Sequence, residues 1–265
     1  MTRFLVVPQW QGSPAARAML LVDGATAIAG DLPRGDTTVL DVPLEAGESL
    51  GSGIRRLSSL LRVRDQVRDA WQDGTVVIGG DCSVASFALS ALDTADLAVL
   101  WCDAHPDLHD PASSASGAFA GMALRALLGD GDERLALSAP IPRERVVVVG
   151  ARSIDDGERA QLDDLTSLPP SAIADPDAVA AAIADTGASR VWVHIDLDVL
   201  DPAEFGGVSA PAPFGLEPAA LGAAIRRVRE ATPLAGASFC GFAPRSPDAA
   251  VDDLGAILRL IGAVA

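Results

Sequence analysis

The sequence predicts an α/β fold in which a mostly parallel sheet is covered by helices on both sides. Three observations predict it. Apolar runs of strand length recur along the chain. Stretches of helical spacing lie between them. The runs are apolar at consecutive positions, as strands buried on both faces must be. The chain has 265 residues, 49% of them apolar, enough for one unit over 1–265 with a sizeable core.

The strand-like runs, in order, are Phe4–Val7, Thr38–Val42, Val76–Ile78, Leu97–Trp101, Val146–Val149 and Val191–Ile195, most of them rich in β-branched residues. Helical spacing appears in Ile54–Trp71, where Ile54, Leu57, Leu61 and others recur every three or four positions. It recurs in Met122–Leu128, Pro176–Ala184, Pro218–Ala231 and Asp252–Val264. Two of these open on a proline, which is tolerated in a first helical turn. No repeat or low-complexity tract appears, and "SLPPSAIADPD" (167–177) reads as a loop within the fold.

Formal net charge is −16 and the pI about 4.4. Such a surface repels phosphate backbones, which argues against nucleic-acid binding. The N-terminal "MTRFLVVPQWQGS" has no cleavage-site pattern, and no apolar stretch approaches the ~20 residues of a membrane span. A soluble, cytoplasmic protein is expected. Cys82, Cys102 and Cys240 are odd in number and far apart, which argues against a disulfide framework.

In open parallel sheets, ligands bind beyond the carboxyl ends of the strands. There the chain carries Gly79-Gly80-Asp81-Cys82-Ser83, "WCDAHPD" with Asp103, His105 and Asp107, "GARS" with Arg152, and "HIDLDVLDP" with Asp196 and Asp198. Residues two apart in an extended segment project to the same side, so each motif can aim its polar groups at one point. Four carboxylates in a desolvated cleft repel one another unless a cation sits among them. Carboxylates with one imidazole suit a divalent ion such as Mn²⁺. Two such ions can acidify a water and aim it at an electrophilic carbon. His194 reads either as a ligand or as a satisfied core histidine. Cys102 should point to the opposite face of its strand and pack. Cys240 takes no assigned function.

With these motifs in order from "VVIGGDCS" to "GASFCGFAP", the sequence resembles the ureohydrolase family of arginases, agmatinases and formimidoylglutamases. The resemblance implies a three-layer α-β-α domain, assembled as a homo-oligomer (trimer or hexamer), with two Mn²⁺ ions and hydrolysis of a guanidinium or amidine of a small-molecule substrate. It implies one metal site of Asp103, His105, Asp196 and Asp198. A second would use Asp103, Asp107, Asp196 and Cys82, where the family has histidine. A thiolate is softer than imidazole, so Zn²⁺ or Fe²⁺ becomes an alternative to Mn²⁺. The other reading of Cys82 is a small buried hydrophobe. Asp107 and Asp81 join the catalytic set, Asp81 by orienting ligands. Ser116 matches a serine at the substrate carboxylate, His109 an asparagine with similar work, Asp155 an aspartate at the α-amino group and Glu158 its neighbour.

The chain departs from the family at two further positions. Ala120 replaces a histidine credited with proton shuttling, a step that can contribute ~10²–10⁴-fold. Gly241 replaces a glutamate that grips the guanidinium, a contact of roughly 1.5–3 kcal/mol. An Nω-hydroxy-arginine hydrolase of the family shares the cysteine ligand and has glycine at the position of Ala120. The expected function is therefore metal-dependent cleavage of a C–N bond in a linear amidine or substituted guanidine, such as arginine or Nω-hydroxy-arginine. The alternative is a catalytically degenerate binding or regulatory subunit. A two-metal phosphoesterase ranks third, because Arg152 is the only cation among the strand ends.

Overall fold

Runs of β-branched and other apolar residues, too short for helices, become the strands of the computed structural model. It describes residues 2–265, so that of the expected unit only Met1 lies outside the described residues. The strands are β1 (Arg3–Val7), β2 (Thr37–Val39), β3 (Thr75–Gly79), β4 (Leu97–Cys102), β5 (Val146–Val149), β6 (Thr166–Leu168), β7 (Arg190–Asp196) and β8 (Leu234–Cys240). They form one sheet in the order β2-β1-β3-β8-β7-β4-β5-β6, and every pairing is parallel. The connecting helices are α1 (Leu20–Gly30), α2 (Leu57–Ala70), α3 (Ser83–Leu89), α4 (Ala123–Leu127), α5 (Asp156–Asp163), α6 (Pro176–Asp185), α7 (Pro218–Ala231) and α8 (Pro247–Val264).

The period of two along each strand divides the core. Phe4 and Val6 pack with Ile28 of α1, Ile183 of α6, Ile225 of α7 and Ile257 of α8. Leu5 and Val7 face the other way, toward Val63 of α2, Phe87 of α3, Leu124 of α4 and Leu162 of α5. This is the expected α-β-α arrangement. Cys102, on the first of these faces, is fully buried in packing. Among the described residues no helix is long and apolar enough to cross a membrane.

Three local expectations are corrected. The stretch 167–177 is not a loop: β6 and a 3-10 turn (Pro170–Ala174) occupy it before α6 begins. The prolines at 169 and 170 directly follow β6 and mask this three-residue strand at the sheet's edge. The second strand ends at Val39 rather than Val42, although Leu40 N–H still donates to Val6 O. β8 was not foreseen, because Leu-Ala-Gly-Ala-Ser-Phe-Cys has little β-branched content. Gly236 stands in it because a Cβ there would lie 2.5 Å from Trp192 on the neighbouring strand.

Candidate metal centre

The sheet order places β3, β8, β7, β4 and β5 side by side, so the segments following these strands share one rim. The metal-ligand, catalytic and substrate-binding candidates meet there. Asp81, Cys82, Asp103, His105, Asp107, His109, Ser116, Asp155, Glu158, Asp196 and Asp198 line a single cavity of about 410 Å³. Ala120 and Gly241 line it too.

At its floor, Asp103, Asp107, Asp196 and Asp198 are each more than nine-tenths buried. Asp103 Oδ1 accepts His105 N–H at 2.7 Å, and the His105 ring Nδ1 lies 3.0 Å from Asp198 Oδ2. Asp196 Oδ1 accepts Asp198 N–H at 2.8 Å, and Asp198 Oδ1 accepts Ala104 N–H at 3.2 Å. These turns convert strand ends into carboxylate cradles. Asp107 lines the same cavity on a left-handed backbone, φ 52°, a region Asp tolerates better than most residues. Its Oδ2 has no hydrogen-bond partner. Asp81 is held by the Ser83 N–H and hydroxyl through Oδ1, while its Oδ2 is likewise unpartnered.

Burial pushes every one of these carboxyls up, Asp196 to about 7 and Asp198 to about 6. Asp103 and Asp107 move the same way for the same reason, and for Asp107 the adjacent Asp103 charge adds to it. Burial opposes charge on His105 too, but its hydrogen bonds to Asp103 and Asp198 prevail and push it up to about 12. His194, fully buried, is pushed down to about 3 and is neutral.

The raised values fix a pH dependence for protein stripped of metal. The folded state holds protons that unfolded carboxyls, at 3.8, would release. The associated stability is complete below that value and disappears as pH rises through about 6 and 7. His105 has the same sign, its share fading above its ordinary value of 6.5. Thermal melts in EDTA should therefore show Tm falling between about pH 5 and about pH 8, with saturating Mn²⁺ raising Tm most at the upper end. A Tm that rises across this range would contradict the clustered carboxylates.

At the rim, the His109 ring lies between Ser113 Oγ (3.2 Å) and Asp155 Oδ2 (3.1 Å). Asp155 is exposed at the N-terminus of α5. Glu158 is buried, accepting Leu108 N–H at 2.9 Å and Asp155 N–H at 3.3 Å, so its carboxylate fixes the two neighbouring segments. Ser116 Oγ accepts Ala118 N–H at 3.2 Å. Arg152 is committed elsewhere. Its guanidinium donates to the carbonyls of Gly150, Asp198, Val199, Leu200, Ala212 and Pro213. It is not free to meet a phosphate, which removes the cation a phosphoesterase would require.

Sequence reasoning missed the approach of Cys240 and His194 to Cys82, and the tight packing of Gly241. Cys240 Sγ lies 3.6 Å from Cys82 Sγ. Gly241 has φ 84°, and a Cβ there would fall 2.2 Å from Asp196 Oδ1. Both sit in or just after β8, the unforeseen strand.

The family model described as the arginase family matches residues 24–256. The chain belongs to the arginase family. This arginase-family chain is 31% identical to the arginase of Staphylococcus aureus (strain MRSA252) over 225 residues, covering 73% of this chain and 74% of that protein. It is also 31% identical to the N(omega)-hydroxy-L-arginine amidinohydrolase of Streptomyces lavendulae over 234 residues, 84% and 82% of the two chains. The solved structure of Entamoeba histolytica arginase in complex with L-ornithine superposes with a TM-score of 0.85 over 99% of this chain and 97% of that one, at 21% identity, which shows a shared fold.

Arginase-family enzymes are metal-dependent hydrolases, typically with two manganese ions. The donor set here fits a divalent cation. Four buried carboxylates face one imidazole, and one carboxylate oxygen points inward with nothing to receive. Such a set is stable as anions only around positive charge.

Proposed function

We propose that this chain hydrolyses a C–N bond of a linear amidine or substituted guanidine carried on an amino-acid-like substrate, with Nω-hydroxy-arginine favoured over arginine. The observation that carries the reading is the gathering of Asp103, Asp107, Asp196 and Asp198 with His105 on the floor of one cavity. The match to an Nω-hydroxy-arginine amidinohydrolase supports the choice of substrate.

Asp103, His105, Asp196 and Asp198 would hold one ion, and Asp103, Asp107, Asp196 and Cys82 a second. When bound, divalent ions supply Lewis acidity and a water acidified toward neutral pH. Asp81 orients this floor through the Ser83 turn at the start of α3. At the rim, Asp155 would receive the substrate α-amino group, and Ser116 with His109 its carboxylate. Glu158 acts through the Leu108 and Asp155 backbones rather than by touching substrate. The cavity volume suits a ligand of amino-acid size. No imidazole stands at Ala120 and no carboxylate at Gly241. A less basic guanidine, which needs less proton transfer and a weaker ionic grip, fits such a pocket better than arginine. One unit over 1–265, a homo-oligomer of three or six chains and a cytoplasmic location complete the proposal.

The test is a substrate panel of arginine, Nω-hydroxy-arginine, agmatine, guanidino acids and formimidoylglutamate. Each is incubated with protein loaded with Mn²⁺ or Zn²⁺, and the amino-acid and urea-type products are quantified. Turnover is expected, highest with Nω-hydroxy-arginine. Fully metallated protein that turns over no member of the panel would replace the enzyme reading with a non-catalytic one.

A further inference from the structure

Beside the carboxylate cluster lies a second set of donors, built from β8, β7 and the segment after β3. Cys240 Sγ is 3.6 Å from Cys82 Sγ, 3.8 Å from His194 Nε2 and 3.2 Å from Asp196 Oδ2. Cys82 Sγ is 3.0 Å from the same Asp196 oxygen. All four side chains are more than nine-tenths buried. The ligand-capable atoms of Cys82, His194 and Cys240 lie within 4.8 Å of one another.

The Cys240 distances to Cys82 and His194 are close to those of a tetrahedral ion site, whereas Asp196 meets both sulfurs but stands outside the set that includes His194 and must close in as the ion binds. With Zn–S near 2.3 Å and Zn–N near 2.0–2.1 Å, the edges of a tetrahedron come to about 3.8 Å for S···S and about 3.5 Å for S···N. The imidazole is also oriented for the purpose. Its Nδ1 meets Ser238 Oγ at 2.8 Å, and Ser238 accepts the Trp192 indole N–H as well. Its ring stacks on Trp101 at 3.7 Å between centroids. With the Nδ1 proton donated to Ser238, Nε2 presents its lone pair to the thiols and the ring cannot turn away. A hydrogen-bonded partner behind a histidine is the usual support of a metal ligand.

We propose that Cys82, His194 and Cys240, with Asp196 as the fourth ligand, form a thiolate site for Zn²⁺. Two sulfurs and an imidazole favour a borderline-soft ion over Mn²⁺. Two thiolates and one carboxylate around a dication leave one net negative charge, the balance of ordinary Cys₃His zinc sites. Asp196 and Cys82 are shared with the second ion proposed above, so an ion at the thiolate site takes that ion's place and lies on the sheet side of the cluster. The site rests on these four side chains and not on the proposed reaction: failure of the substrate panel would leave it standing.

Full-length protein, stripped of metal and kept anaerobic with a phosphine reductant, is titrated with Co²⁺ as a spectroscopic stand-in for Zn²⁺. A thiolate-to-cobalt charge-transfer band with strong tetrahedral visible bands is expected. Equimolar Zn²⁺ should displace it and Mn²⁺ should not. Cys240→Ser should lower the charge-transfer intensity by about half, one thiolate of two. His194→Gln should weaken Co²⁺ binding by roughly tenfold or more. Asp103→Asn, outside the set, should leave the band intact. Absence of the band, or full intensity in Cys240→Ser, would overturn the proposal. If the variants do not fold, X-ray absorption of the zinc-loaded wild type decides: two sulfurs per zinc support the site, one or none refutes it.

Discussion

Asp196→Ala ends metal binding and turnover together. This carboxylate accepts the Asp198 N–H through Oδ1 and faces Cys82 and Cys240 through Oδ2. Its loss removes a ligand proposed for both ions and loosens the turn that carries another. Removing a residue that merely supports a metal ligand costs ~10–100-fold in affinity or activity, and a shared ligand should cost more. Asp103→Ala should abolish turnover and empty the carboxylate site while sparing an ion held by the two cysteines, since Asp103 cradles His105 through Oδ1. Elemental analysis and the rate on the best panel substrate provide the measurements. Full metal content with full activity in either variant would defeat the assignment. Loss of the site is distinguishable from loss of the fold. Burial penalises ionised Asp196, so the metal-free alanine variant should melt no lower than metal-free wild type above about pH 7.

The second large effect lies outside the cavity floor. Arg152→Ala strips one guanidinium from six backbone carbonyls, three of them in the segment 198–200 and two in 212–213. Charged hydrogen bonds contribute ~1.5–3 kcal/mol each when isolated, but solvent can reach part of this clamp, so about 2–4 kcal/mol in total is the expected loss. For a chain of this size that lowers Tm by roughly 5–15 °C. Because Asp198 leads the clamped segment, metal affinity should fall as well. Arg152→Lys should not restore it, since an ammonium cannot span acceptors on two loops. A Tm within about 2 °C of wild type would show that the clamp contributes little.

The sequence disclosed those parts of the site that depend on local rules. Asp103, His105 and Asp107 follow one apolar run and Asp196 and Asp198 end another, so alternation along a strand was enough to place each group at the same rim. What stayed hidden depends on contacts between distant segments. β8 is made of small residues because Trp192 needs the space at Gly236, and that reason exists only after folding. With β8 unseen, Cys240 had no location and its meeting with Cys82 could not be inferred. Arg152 read as a lone cation near the ligands because its partners are carbonyls, which every residue possesses. The left-handed turn at Asp107 has no signal of its own, since no glycine marks it.

The order of strands has a kinetic consequence. β3 and β4 are consecutive in the chain, yet β8 and β7 lie between them in the sheet. Cys82 and Cys240, in van der Waals reach of each other, are 158 positions apart along the polypeptide. Closing loops of that size is slow, and parallel pairing offers no short hairpin to begin from. The pairing of both cysteines therefore waits until the last strand docks, whereas the carboxylate floor needs only the adjacent β4 and β7. Capture of an ion by Cys82 and Cys240 together reports that β8 has joined the sheet.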